Sequence, residues 1–275
     1  MVEKKRNAII PRPTGAIEKI GAGPKGILTR MVSDALASAR SPEKLLTVAP
    51  FRIGNYEFRD ADYRQILLWA AALALEPVGI IQRLESSKNR DLVTTTFSVE
   101  NGSIVTLAWD FNLLPLPAFE WVDGLVIREI GFMGRLTSPP QISLRLPFLV
   151  RLECSGINLT ELDLSKTPAL TVLACSTNEL TELDLSNVPG LDLLVCSDNH
   201  LTELDLSNVP RLTELWCHDN ELTELDLSNV PELDWLNCQS NQLTELDIRS
   251  LEKLWYLVCD PVVTLKKRPT QNFGK

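Results

Sequence analysis

The sequence predicts an α/β solenoid of about eight short turns, mostly strand and loop, preceded by a small helical N-terminal region. Three observations carry this. The six cysteines, Cys154, Cys175, Cys196, Cys217, Cys238 and Cys259, are evenly spaced, each at the twenty-first position after the last. Around them runs L-x-x-L-x-C-x-x-N-x-L-T-E-L-D-L-S-x-x-P, clearest from Leu170 to Pro231. A repeat of this length is one supersecondary unit that buries its apolar face only against its neighbours. Before the repeat, apolar residues recur at helical spacing; from Leu92 they alternate.

Residues 1–23 are basic and rich in Pro and Gly, which predicts a flexible segment. A small helical domain or cap is expected over 24–90. Pro24 opens a helix through Ile27, Leu28, Met31, Val32, Ala35, Leu36 and Ala39, and Pro42 starts a short second one through Leu46. Phe51 to Glu57 is expected as a loop. Asp60 is placed as the N-cap of a strong helix from Tyr63 to Leu75, and a short helix follows from Pro77 or Val78 to Glu85. Two closely joined helices invite a helix-turn-helix reading. The second offers only Gln82 and Arg83 to a groove, so a cap on the solenoid's first turn is preferred.

The solenoid is expected over 91–265. Val93, Thr95, Phe97 and Val99 alternate, Asn101-Gly102 is a hairpin signal, and Ile104 to Trp109 is the returning strand and first unit, with Trp109 in the cysteine position. Units follow from Ile127, Leu149, Leu170, Leu191, Leu212, Leu233 and Leu254. In the third, Ile157 takes the asparagine position, so an irregular turn is expected there. The last has Val262 in that position, and a basic tail covers 266–275.

Five tandem copies of Leu170, Leu173, Cys175, Asn178, Leu180, Leu183 and Leu185 resemble the bacterial leucine-rich repeat proteins with cysteine at the third apolar position. The resemblance implies a curved solenoid with a parallel sheet on its inner face, usually used for protein recognition. The residues agree: within L-x-x-L-x-C, Leu173 and Cys175 turn inward. Asn178, Asn199, Asn220 and Asn241 fall where the chain leaves the strand and are read as structural, satisfying backbone groups. LTELDLS also alternates and is expected as a second, flatter set of short strands opposite.

That second face carries columns of carboxylates, Glu161, Glu182, Glu203, Glu224 and Glu245 beside Asp163, Asp184, Asp205, Asp226 and Asp247. Their near-invariance from turn to turn suits a solvated scaffold; a calcium-binding acidic ladder is the alternative. The inner face varies. Its outward positions bring Val172, Leu193, Val195, Glu214, Trp216, His218, Trp235, Asn237 and Tyr256 together, an apolar and aromatic patch rimmed by charge. A protein or peptide with apolar and basic features is the expected occupant. A second copy of the chain, forming a homodimer, and the chain's own flanking segments are the other two.

Charge and chemistry narrow the function. Of the net charge of −9, residues 1–100 hold 15 basic against 11 acidic side chains and the remainder 12 against 25, so an acidic solenoid disfavours nucleic acid as partner. No membrane association is expected, since the apolar segment Ile66 to Leu75 is too short to span a bilayer. The cysteines sit at core positions without a paired base, C-x-x-C zinc spacing and a phosphate-binding glycine loop are absent, and the two histidines are at non-equivalent positions. A non-enzymatic interaction module without a cofactor is therefore expected; a structural or self-associating solenoid is the alternative, with an enzyme in the N-terminal domain as a remote one. Buried thiols and no signal-peptide pattern lead to an expectation of a cytoplasmic protein, with export by a signal-independent route left open.

Overall fold

In a computed structural model of the protein, residues 51–86, 97–115, 118–119, 123–134, 141–142 and 144–271 are described. The expected flexible segment over 1–23, the helices from Pro24 to Leu46, and the strand start at Val93 and Thr95 lie outside them.

The described chain opens with β1 (Phe51–Ile53) and β2 (Tyr56–Phe58), an antiparallel hairpin where the sequence predicts a loop. Gly54, at φ 59°, makes the tight turn that such short strands need. Helix α1 (Asp60–Leu73) starts ahead of the expected Tyr63, with Arg59 rather than Asp60 at the N-cap. Asp60 and Asp62 fall in the first turn, where carboxylates complement the helix dipole. Ala74, left-handed at φ 53°, ends it. Helix α2 (Pro77–Ser86) follows at 93° to α1, close to its expected span. No single helix among the described residues is long and apolar enough to cross a membrane.

Strand β3 (Phe97–Glu100) pairs antiparallel with β4 (Ser103–Asp110) through Asn101 and Gly102, both at positive φ. A side chain at Gly102 would meet the Arg59 amide at 3.2 Å, so glycine is also needed for the close approach of hairpin and helix. Then come β5 (Ala118–Phe119), β6 (Glu129–Met133), β7 (Gln141–Ile142), β8 (Arg151–Glu153), β9 (Val172–Ala174), β10 (Leu193–Val195), β11 (Glu214–Trp216), β12 (Trp235–Asn237), β13 (Glu245–Asp247), β14 (Tyr256–Val258) and β15 (Thr264–Lys266). A nine-stranded sheet runs β14-β12-β11-β10-β9-β8-β6-β4-β3. Every pairing but β3–β4 is parallel, giving eight stacked strands separated by seven turns. From β8 on, each strand pairs with its equivalent one repeat later, as in Leu194↔Leu215↔Leu236.

One continuous apolar core runs from Ile53 to Val263. Leu173, Leu194, Leu215 and Leu236 and the thiols from Cys154 to Cys238 are fully buried in it, and all six cysteines are free. Val188, Val209 and Val230, before each proline, form a further buried column that the consensus passes over. They sit in tight return turns, with the Val188 amide donating to the Leu185 carbonyl at 3.2 Å and the Leu191 amide to the Val188 carbonyl at 3.0 Å. The helices cap the first turn: Trp69 of α1 meets Trp109 of β4 edge-on at 4.8 Å, and the buried Asp62 carboxylate accepts the Ile104 amide at 2.8 Å.

The asparagine ladder is present. Asn178 donates to the Cys154 and Cys175 carbonyls, both at 2.9 Å, and accepts the Ile157 and Leu159 amides. Asn199, Asn220 and Asn241 repeat the donation to the equivalent carbonyls. The residue before each, Thr177, Asp198, Asp219 or Ser240, is left-handed. In the irregular third unit, Gly156 and Asn158 both take positive φ and Ile157 is buried in place of the amide. At the C-terminal end, Gln271 donates to the Ile248 and Leu251 carbonyls, each at 2.8 Å.

Candidate functional site

The patch on the inner face is built by β9, β10, β11, β12 and β14. Their central leucines point into the core, so the flanking residues face outward. Val172, Leu193, Val195, Glu214, Trp216, His218, Trp235, Asn237 and Tyr256 are all half-buried, as neighbours on one patch should be. Parallel register sets Trp235 opposite both Glu214 and Tyr256, and Trp216 opposite Asn237. Trp235 stacks on Tyr256 at 3.6 Å and on Trp216 at 5.3 Å, both at 18°. The three rings therefore form one slab, held face to face with their edges outward.

Trp255 does not share the alternation of the outward positions, so the sequence pattern passes over it. It is 64% exposed and packs edge-on against both Trp235 and Tyr256. The Trp235 indole N–H is buried with no acceptor among the described residues. His218 meets Trp216 at 6.5 Å, and its Nδ1 lies 2.8 Å from Asp219 Oδ2. The other histidine, His200, lies on a separate column between Glu179 and Glu221, at 3.1 and 3.3 Å.

The opposite face is a groove of about 1390 Å³ floored by Leu162, Leu183, Leu204 and Leu225 and walled by the Glu and Asp columns. The expected second set of strands forms there only at the ends, as β5–β7 and β13–β15. In between, each aspartate engages its own backbone. Asp184 Oδ1 accepts the Ser186 amide at 2.8 Å, and Asp163, Asp205 and Asp226 do the same with Ser165, Ser207 and Ser228. Such turns keep the chain from continuing the strand. They also offset the stacking of like charges, and no three carboxylates of the groove converge within 4.8 Å among the described residues.

A pH dependence follows. Hydrogen bonds donated by the serine two residues on hold Asp163, Asp184, Asp205 and Asp226 below the usual carboxylate range, and the Arg249 side chain pulls Asp247 down to about 2. A carboxylate depressed by folding contributes stability that is present above its unfolded value and lost as pH falls through its folded one. Asp62 has the opposite sign, since burial raises it and its contribution is lost as pH rises through the folded value. With five depressed carboxylates against one raised among the described residues, the urea midpoint should fall as pH drops from about 4 toward 2. The triple change Asp184→Asn, Asp205→Asn, Asp226→Asn should flatten that decline.

No family model matches the chain, and no curated protein matches it. Among solved structures it is similar to the functional domain of InlJ from Listeria monocytogenes, described as including a cysteine ladder. That match has 30% identity, covers 60% of this chain and 43% of the other, and has a TM-score of 0.37. It is also similar to the internalins InlF (19% identity, 50% and 42% covered, TM-score 0.43) and InlC2 (23%, 59% and 80%, TM-score 0.43) of the same organism. The chain thus spans less than half the length of the first two. It is a leucine-rich-repeat-like β-solenoid resembling bacterial internalins.

The expectation of a cytoplasmic location is corrected here, because internalins are secreted or surface-exposed bacterial proteins. The thiols are the wrong guide for a physical reason. Burial pushes Cys175 and Cys217 up to about 12, so they stay protonated and inaccessible in a reducing or an oxidising medium alike.

Proposed function

We propose that the chain is a non-enzymatic protein-binding module whose partner docks on the inner, concave face of the solenoid, across Val172, Leu193 and Val195 to the Trp216–Trp235–Tyr256 slab. The observation that carries this is the slab itself, with Trp255 exposed beside it. Large rings already stacked lose little side-chain freedom on binding, which makes them effective anchors. Their faces are occupied by one another, so a partner meets ring edges and the Trp255 surface. An aliphatic or basic side chain fits that, with Glu214, Asp234 and Asp219 at the rim. The unpaired Trp235 N–H, which costs about 1–3 kcal/mol, favours a partner that brings an acceptor once the slab shifts. Residues 51–86 serve in this reading as the N-terminal cap that closes the core.

The test is capture of partners from extracts and culture surfaces by the wild-type chain and by Trp216→Ala/Trp235→Ala, with circular dichroism to confirm an intact fold. Loss of capture is expected, since truncating such anchors typically weakens binding by about 2 kcal/mol or more. Undiminished capture contradicts the proposal. Sedimentation over a concentration series separates the homodimer: a dimer dissolved by the same substitutions would assign the face to a second copy instead.

A further inference from the structure

Two successive turns bring Asp198, His218 and Asp219 to one point, with one ligand atom from each lying within 4.8 Å of the others. We infer that these three side chains form a binding site for a divalent transition-metal ion of the zinc type, at the edge of the aromatic face.

The position is fixed by backbone rather than by flexible loops. The Asp198 amide donates to the His218 carbonyl at 3.0 Å, and the Asp219 amide to the Gln239 carbonyl at 3.0 Å, so the loops stack in register. Asp198 and Asp219 share one left-handed position, both at φ 54°, which aims both carboxylates from equivalent points on adjacent turns. Neighbouring turns carry Thr177 and Ser240 there, so only this pair presents two carboxylates. His218 precedes Asp219 in the chain with its ring against Trp216, and its Nδ1 is already 2.8 Å from Asp219 Oδ2.

The donor set selects the ion. An imidazole nitrogen with two carboxylate oxygens suits zinc and its transition-metal neighbours. Three ligands are too few for calcium, which takes about six to eight oxygens. Ligand atoms around tetrahedral zinc, at about 2.0–2.2 Å from the metal, lie roughly 3.3 Å from one another. The widest spacing here has only to close by roughly 1.5 Å on that scale, and the exposed Asp198 and Asp219 side chains are free to turn. Two carboxylates balance the ion's charge, and a fourth position is left for water. The site needs no protein partner and stands or falls separately from the docking proposal.

The experiment is calorimetric titration of zinc chloride into the chelator-stripped full chain at about pH 7.5, above the ordinary histidine range, with calcium chloride as a second titrant. One-to-one uptake is expected with zinc and no saturable uptake with calcium. His218→Ala and Asp198→Asn should each weaken zinc more than ten-fold, while His200→Ala and Cys259→Ser leave it unchanged. Nickel ions should quench tryptophan fluorescence in the wild type and lose that effect in His218→Ala. Absence of zinc uptake, uptake insensitive to His218→Ala, or uptake abolished instead by Cys259→Ser or His200→Ala would each overturn the assignment, as would calcium binding as tightly as zinc.

Discussion

Asn199→Ala is expected to cost roughly 3–5 kcal/mol of folding free energy, a large share of the roughly 5–15 kcal/mol typical of a domain. The side chain donates to the Cys175, Cys196 and Ser197 carbonyls at 3.0, 3.1 and 3.2 Å and accepts the Leu180 amide at 3.1 Å. Alanine leaves the buried Leu180 amide without an acceptor, at a cost of about 1–3 kcal/mol, and removes one donor from each of three carbonyls that keep another, at about 0.5–1.5 kcal/mol apiece. Because a solenoid's stability is close to a sum of turn and interface terms, a break in mid-array weakens two interfaces together. Asn199→Asp should be no better, since it sets an acceptor against carbonyls. Asn241→Ala should cost less, because that rung is only part-buried and near the end. Urea unfolding of the three variants checks the order; a loss below about 1 kcal/mol for Asn199→Ala would mean the ladder does not hold the turns together.

The second large effect is in thiol chemistry. Burial raises Cys175 and Cys217 from 9.0 to about 12, and pushes Cys154, Cys196 and Cys238 upward as well. Such a rise means about a thousand-fold less thiolate at neutral pH, before access is counted. Cys259, on the last turn, is raised by burial and by Asp260 but remains partly exposed. A thiol reagent should therefore modify one cysteine quickly in the native chain and all six in urea, with the fast phase absent from Cys259→Ser. Several fast thiols in the native chain would mean the cysteines are not in the core.

Much of the architecture was legible because the repeat states its own register. Once Cys175 and Cys196 are equivalent, Leu173 opposite Leu194 and Trp235 opposite Tyr256 follow, and so does the patch. Non-repeating features were less legible. The strands of the β1–β2 hairpin are too short for alternation to show. LTELDLS alternates like a strand, but the aspartate bonds the serine amide two residues on, a local competition that periodicity cannot register. Trp255 lies out of phase with the inner face and reaches it only because its ring packs on Trp235. Asp198 and His218 lie nearly a full repeat apart in the chain and meet only through the stacking of turns, so no local motif announces them. Five of the six thiols were placed correctly in the core, Cys259 of the last turn being partly exposed, but they misled on location, since burial protects a cysteine whatever surrounds the protein.

The most direct test sets the two faces against each other: capture by the wild type, by Trp216→Ala/Trp235→Ala, and by Glu182→Gln/Glu203→Gln/Glu224→Gln on the opposite groove, read by mass spectrometry. Docking on the inner face predicts that the tryptophan variant loses the wild-type partners and the groove variant keeps them. Retention by the tryptophan variant with loss by the groove variant would contradict it and move the binding surface to the acidic face.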